Sequence, residues 1–268
     1  MRQCWCFLRS VHAGAAALLA LAVWCPPVFA QNTSLSPNPA EEKPSRPVSV
    51  GVEIAFRSGH ADRGFIVSDR PVIQPEAWVS GALGEFSLWS NYTLAETTDS
   101  ARPEILELEL TRENKWKNFT VAPDVSLVFY HDPLTHERSR LIEGWLDLSY
   151  DAGPVRLFTN HSVNVQTRTS GYYGEAGIES ERQVSPGVAV GASLGAGWAS
   201  AAFNSDYADI ATPALDRISV EGWLTAHLGP HFYFSPHFEF STIVNQRVRA
   251  GVARPTYFLV GLATGSEF

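Results

Sequence analysis

The chain ends on an alternating run: Phe258, Val260, Leu262, Thr264, Ser266 and Phe268 on one phase, Tyr257, Leu259, Gly261, Ala263, Gly265 and Glu267 on the other. Side chains that repeat every two residues belong to a strand, and here the strand has one markedly apolar face. A helix through the same residues would scatter those apolar positions around its circumference. A sheet with one face in hydrocarbon and one in water shows this period, so every other segment can be tested for it.

The same period recurs along the chain. Val48, Val50, Val52, Ile54 and Phe56 oppose Ser49, Gly51, Glu53 and Ala55. Phe86, Leu88, Tyr92 and Leu94 oppose Ser87, Trp89, Asn91 and Thr93. Leu106, Leu108 and Leu110 oppose Glu107 and Glu109. Ile142, Leu146, Leu148 and Tyr150 oppose Glu143, Trp145, Asp147 and Ser149. Ile218, Val220, Leu224 and Leu228 oppose Ser219, Glu221, Trp223, Thr225 and His227. Phe232, Phe234, Phe238 and Phe240 oppose Tyr233, His237, Glu239 and Ser241. With the weaker segments added, twelve strands are predicted, at 48–58, 72–83, 86–96, 103–113, 117–130, 140–150, 155–166, 171–182, 187–203, 215–228, 231–244 and 255–268.

The connections alternate in length. Short turns are expected at Gly84-Glu85, Asn114–Trp116, Asp151–Pro154, Gln183–Pro186 and Gly229-Pro230, each rich in turn residues. Longer loops are expected at 59–71, 131–139, 204–214 and 245–254. An even strand count with this asymmetry predicts an all-β fold: one antiparallel, up-and-down transmembrane β-barrel. A soluble sandwich or a lipocalin-like barrel is the competing architecture. Pro75, Pro123 and Pro236 fall inside predicted strands, where bulges or shifted boundaries are expected to absorb them.

Before the barrel, Arg2 and Arg9, the apolar stretch Ala13–Val23 and Val28-Phe29-Ala30 have the pattern of a cleaved secretory signal over residues 1–30. Residues 31–47 are polar and proline-rich and read as a flexible periplasmic lead, leaving 48–268 as the barrel. Cys25 raises a lipoprotein alternative, which Val23-Trp24 fit poorly. All three cysteines lie within the signal, so no disulfide or thiolate site is expected after cleavage. Loss of Arg2 and Arg9 with no acid leaves 18 basic against 28 acidic residues, a formal charge of −10. That balance argues against nucleic acid as a partner.

Residues Val50–Phe65 (Val-Gly-Val-Glu-Ile-Ala-Phe-Arg-Ser-Gly-His-Ala-Asp-Arg-Gly-Phe), Val67–Ser80 with its Gln-Pro, and Phe86–Tyr92 with its Trp resemble the TorF-like family of outer-membrane porins of Gram-negative bacteria. The resemblance is best over residues 50–95, and Phe56-Arg57-Ser58 departs from the family's aromatic-rich first-strand end. It implies an outer-membrane barrel for passive transport. A terminal strand closing on Phe268 likewise looks like the signal by which the barrel-assembly machinery recognises its clients.

The inward phase gathers the candidate functional residues. Glu53, Glu76, Glu107, Glu109, Asp124, Glu143, Asp147, Glu175, Glu179, Glu221 and Glu239 are expected to line the lumen, opposed on the same phase only by Arg57 and Arg156. Unpaired carboxylates cannot be dry, so they call for water, cations or arginines from loops. Two readings follow: an open, acidic, cation-favouring lumen, or a closed plug in which the acids pair with Arg63, Arg70, Arg138 or Arg168. Trp78, Trp89, Trp145 and Trp223 share the inward phase, as space-fillers or as an aromatic path for amphipathic solutes, while Tyr92 and Trp198 face outward.

Other motifs carry less. Gly187, Gly191, Gly195 and Gly197 alternate with apolar residues and suit a strand, not a phosphate loop. In Asn160–Asn164, His161 and Ser162 are neighbours and must point to opposite faces of a strand. His131, Asp132, His136 and Glu137 read as a solvated loop before a metal site. No cofactor, metal or catalytic residue is expected; the expected partners are membrane lipid, the assembly machinery and small solutes. The rivals to a channel are a closed barrel presenting its loops and a lipid-modifying enzyme.

Overall fold

The computed structural model describes residues 48–94, 104–131, 138–165 and 171–268. The predicted signal, the lead, Arg168 and Asp132, His136 and Glu137 lie outside them. Twelve strands close an antiparallel barrel: β1 (Val48–Arg57), β4 (Val72–Gly81), β5 (Gly84–Thr93), β6 (Ile105–Thr111), β8 (Phe119–His131), β9 (Arg138–Asp151), β10 (Arg156–Asn164), β11 (Tyr172–Ser185), β12 (Val188–Ala199), β13 (Ala214–His227), β14 (Phe232–Ile243) and β15 (Thr256–Glu267). A small hairpin of β2 (His60–Asp62) and β3 (Phe65–Ser68) forms a separate two-stranded sheet, and β7 (Asn114–Trp116) extends β6. Two short helices, α1 (Ala201–Ala208) and α2 (Gln246–Gly251), sit in the long connections.

The ring closes between the first and last strands, with Ile54 beside Thr264 and Arg57 beside Gly261. Phe268 completes this seam: its N–H donates to the Val50 carbonyl (2.9 Å) and its carbonyl accepts from Val50 N–H (3.1 Å). Its ring stacks on His231 at 5.0 Å. A closed ring leaves no strand edge unpaired, the condition for backbone to cross hydrocarbon.

The two faces differ as the alternation predicts. Along β1 the apolar set from Val48 to Phe56 is 42–51 % exposed, and Gly51 and Ala55 between them are buried. Large apolar side chains stand outward on nearly every strand, Leu88, Leu146, Leu194, Val220, Phe240 and Val260 among them. The buried set, by contrast, is rich in polar side chains such as Asn91, Asp124, Glu143 and Ser241. This inverts a water-soluble globule.

Several boundaries move. The turn before β5 lies at Ala82-Leu83 rather than Gly84-Glu85, since Gly81 and Gly84 pair. Asn114–Trp116 is not a turn but β7, paired to β8, and the chain reverses at Lys117-Asn118, where Lys117 takes φ 53°. The predicted strand 187–203 stops at Ala199. Ser200 ends it by accepting from Tyr172 N–H (3.0 Å) and capping α1 through Phe203 N–H (3.2 Å).

No bulge absorbs the prolines. Each sits in a strand with register unchanged and drops out of the ladder on one side only. Pro75 keeps Ile54 as its β1 partner, while the β4–β5 ladder skips from Ile73 to Glu76. Pro123 keeps Leu146 in β9, and opposite it the β6–β7 strand is interrupted at Arg112-Glu113. Pro236 keeps Leu262 in β15, while the β13–β14 ladder skips from Trp223 to Ala226. Proline lacks the N–H that the missing rung needs. Side chains bridge two of the gaps, Gln74 Nε2 to Asn91 Oδ1 at 3.0 Å and Thr225 to Ser235 at 3.3 Å between hydroxyls. The register shifts that do occur lie elsewhere, at Gln183/Ser185 and Gly197/Trp198 in the barrel and at His60/Ala61 in the β2–β3 hairpin.

Candidate functional site

Three long connections gather at the end opposite Val48 and Phe268 and build a small apolar core inside the mouth. Phe65 of β3, Phe203 and Ala208 of α1, Val248 of α2, and Tyr173, Ala199 and Ile243 from the wall are all buried together. Phe203 lies at its centre, with ring centroids 4.4 Å from Tyr207, 5.3 Å from Tyr173 and 6.2 Å from Phe65. The β2–β3 hairpin is thereby folded into the barrel rather than outward.

Polar contacts fix its tip. Arg63, in the left-handed conformation at φ 49°, forms a two-pronged ion pair with Glu143 of β9, with Nη1 to Oε1 at 2.9 Å. Its guanidinium lies 4.6 Å from the Trp145 ring centroid and 5.6 Å from that of Phe203. Tyr207 Oη donates to Asp62 at 2.7 Å. His60 is held 3.2 Å from Gln74, and burial drives its pKa from 6.5 down to about 4, against the opposing field of Asp62. His60 is therefore neutral near pH 7. A cavity of about 720 Å³ remains between the hairpin and the wall formed by β5–β9, bounded by Trp89, Glu107, Tyr130, Glu143 and Trp145 among others.

The carboxylates of the inward phase divide into two sets. One set carries arginine partners. Arg57 Nη2 pairs with Glu239 at 2.9 Å, and Tyr257 Oη donates to the other oxygen of Glu239 at 2.8 Å. Arg217 stands within 3.6 Å of Glu175 and 3.5 Å of Glu221. Arg156 reaches Glu179 at 2.9 Å on more exposed ground, and Arg63 takes Glu143. Arg217 is a further strand-borne cation beyond the expected Arg57 and Arg156, as is Lys115 of β7, which reaches Asp151 at 3.2 Å. Arg217 shares the phase of Ser219 and Glu221, so the period already placed it.

The other set has no such partner. Among the described residues, Glu53, Glu76, Glu107, Glu109, Asp124 and Asp147 have no cation within ion-pair distance. They lie on β1, β4, β6, β8 and β9, an unbroken arc once β5 is included. Glu53 pairs across the ladder with Glu76, and Trp89 stands opposite both Glu76 and Glu107. Hydroxyls supply part of their solvation: Tyr233 Oη reaches Glu53, and the Thr111 hydroxyl is 2.6 Å from both Glu109 and Asp124. Of the loop arginines weighed as plug partners, Arg63 enters, Arg70 and Arg138 are exposed, and Arg168 lies outside the described residues.

The four inward tryptophans do not behave alike. Trp78 pairs with Gly51 and Trp223 with Gly191 across the ladder, and each indole covers its glycine closely. A Cβ on Gly51 would come within 2.0 Å of the Trp78 ring. Both rings thus lie along the wall. Trp89 and Trp145 have no such seat and bound the cavity. On the outer face, His161 contacts the Tyr172 hydroxyl (2.8 Å), whereas Ser162 is buried inward opposite Trp145. The two cannot act as base and nucleophile.

No protein-family profile and no curated protein matches the chain. Solved structures do. An outer membrane channel from Pseudomonas putida F1 aligns with a TM-score of 0.51 at 14 % identity, over 87 % of this chain and all of that one. The NanC porin aligns at 0.47 and 13 % identity, and the KdgM porin at 0.46 and 10 %, each over 82 % of this chain and 98 % of the other. At 14 % identity the likeness to the Pseudomonas putida channel is one of fold alone.

Proposed function

We propose that this chain is an outer-membrane channel for passive diffusion of small solutes, with a lumen that favours cations and an outer mouth narrowed by the β2–β3 hairpin. The single observation that carries the reading is the inside-out wall, in which a continuous apolar exterior encloses an interior lined by charge. The exterior fits hydrocarbon, and the interior carboxylates that lack an arginine partner call for water within reach. The cation preference rests on the six acids that have no ion-pair partner among the described residues. The TorF-like resemblance of residues 50–95, the secretory signal and recognition of Phe268 by the assembly machinery belong to the same proposal.

The test is electrophysiological. Barrel refolded from Gln31–Phe268, verified as folded by its shift on an unheated gel, should give steady conductance steps in a planar bilayer. Under a salt gradient its reversal potential should have the sign of a cation-preferring pore. A closed barrel presenting its loops is the second reading, favoured by the apolar core around Phe203. Folded protein that never conducts would establish it.

A further inference from the structure

The cavity beside the hairpin has two aromatic and acidic halves: Arg63 is seated in the first, and Arg140, which also borders the cavity, makes no ion pair with the acid of the second among the described residues. In the first half the flat guanidinium of Arg63 lies over Trp145 and Phe203, between Glu143 and Asp62 (Nε to Oδ1, 3.4 Å). This is the protein's own cation in an aromatic and acidic seat. In the second half Trp89 of β5 stands directly across the ladder from Glu107 of β6. Tyr130 of β8 is one pleat away, paired with Ile105. All three border the cavity. Here the aromatic faces and the carboxylate recur, and among the described residues no cation pairs with Glu107. His60, 5.6 Å from Trp89 between ring centroids, is neutral near pH 7 and so does not supply one.

We infer that the Trp89–Glu107–Tyr130 half of the cavity is a binding station for a small organic cation, a solute bearing a guanidinium or ammonium group on an apolar body. Glu107 accepts the charged hydrogen bonds. Trp89 and Tyr130 take the cation's face and the body beside it. A space of about 720 Å³ holds such a solute with water to spare. An inorganic cation would gain the carboxylate but little from the rings. A neutral sugar would gain the rings and could donate hydroxyls to Glu107, but would leave its charge uncompensated. The inference deepens the channel reading and rests on it for access to the cavity.

The test is calorimetric titration of the refolded barrel with phenylguanidinium, against phenylurea as its neutral counterpart of the same shape. The expected result is binding about tenfold tighter for the cation, a difference lost in Glu107→Gln and kept in Glu107→Asp and Glu109→Gln. Equal affinities for the two compounds, or a Glu107→Gln barrel that still distinguishes them, would overturn it. Bilayer recording of the same preparations separates the two claims. A barrel that conducts without distinguishing the compounds refutes the station alone. One that distinguishes them without conducting keeps the station and refutes the channel.

Discussion

Replacing Arg63 with alanine should unlock the hairpin. The Arg63 side chain is 9 % exposed and that of Glu143 is 3 % exposed. Deleting one partner of a buried ion pair costs about 3–5 kcal/mol, chiefly because the other charge stays buried alone. Glu143 also borders the cavity, so water can relieve part of that cost and the lower figure, about 3 kcal/mol, is the better guide. It falls on the closed hairpin only, since release hydrates Glu143. The ratio of closed to open hairpin should then fall roughly a hundredfold. What remains is the Tyr207–Asp62 hydrogen bond, about 1.5–3 kcal/mol for a charged acceptor, and the burial of Phe65, about 1.5–3 kcal/mol. These should close the hairpin part of the time. Single-channel records of R63A should therefore flicker between the wild-type level and a larger one, and a protease should cut within 58–71 faster than in wild type. Adding Glu143→Gln should restore most of the steady record, because no buried charge is left. An R63A trace and cleavage rate identical to wild type would refute the assignment of the hairpin as the narrowing element.

The structure changes which acids should set selectivity. Glu143 belongs to the lock, so Glu76, Glu107 and Glu109 changed together to Gln should move the reversal potential toward zero, whereas changing the paired Glu175 and Glu239 should move it less; equal shifts would contradict the division. Acid should loosen the hairpin through His60, which titrates at about 4 when closed and at 6.5 when released. The sign follows: closure is undiminished above about pH 6.5, weakens as pH falls toward 4, and loses no more below, for a total of roughly 3 kcal/mol. Asp62, Arg57 and Glu239 act on the same ring, so the diagnostic is that His60→Gln flattens the change in conductance between pH 7 and 4.5. Gly51→Ala should swing the Trp78 indole off the wall and lower conductance, with Trp78→Ala in the same chain restoring it. An unaltered G51A current would mean that the ring finds room along the wall.

Much of this was legible in the chain because the two faces of a barrel strand meet different solvents. An apolar outer face and a polar inner face impose period two from Val48 to Phe268, and the same phase sorts Glu107, Glu143 and Arg217 inward. What the phase cannot express is a contact across the lumen. Arg63 and Glu143 are eighty positions apart, and nothing local to His60–Ser68 says whether the hairpin folds into the barrel or away from it. The helix α1 was hidden for a different reason. Its Ala-Ala-Phe continues the apolar tone of β12, and only the hydroxyl of Ser200, shared between Tyr172 and Phe203, turns the backbone. The prolines misled in the opposite direction: bulges or shifted boundaries are what the sequence leads one to expect, yet losing a single rung on one side is cheaper than shifting a register whose outer face is apolar. The flat seats of Trp78 and Trp223 needed the ladder register, which places Gly51 and Gly191 directly opposite them.

The central claim is that the lumen conducts and prefers cations, and zero-current potential across a planar bilayer under a salt gradient tests it most directly. Folded Gln31–Phe268 should give discrete steps with a reversal potential of the cation-preferring sign, reduced when Glu76, Glu107 and Glu109 are neutralised. Silence from folded barrel, or steps of the anion-preferring sign, would contradict the account.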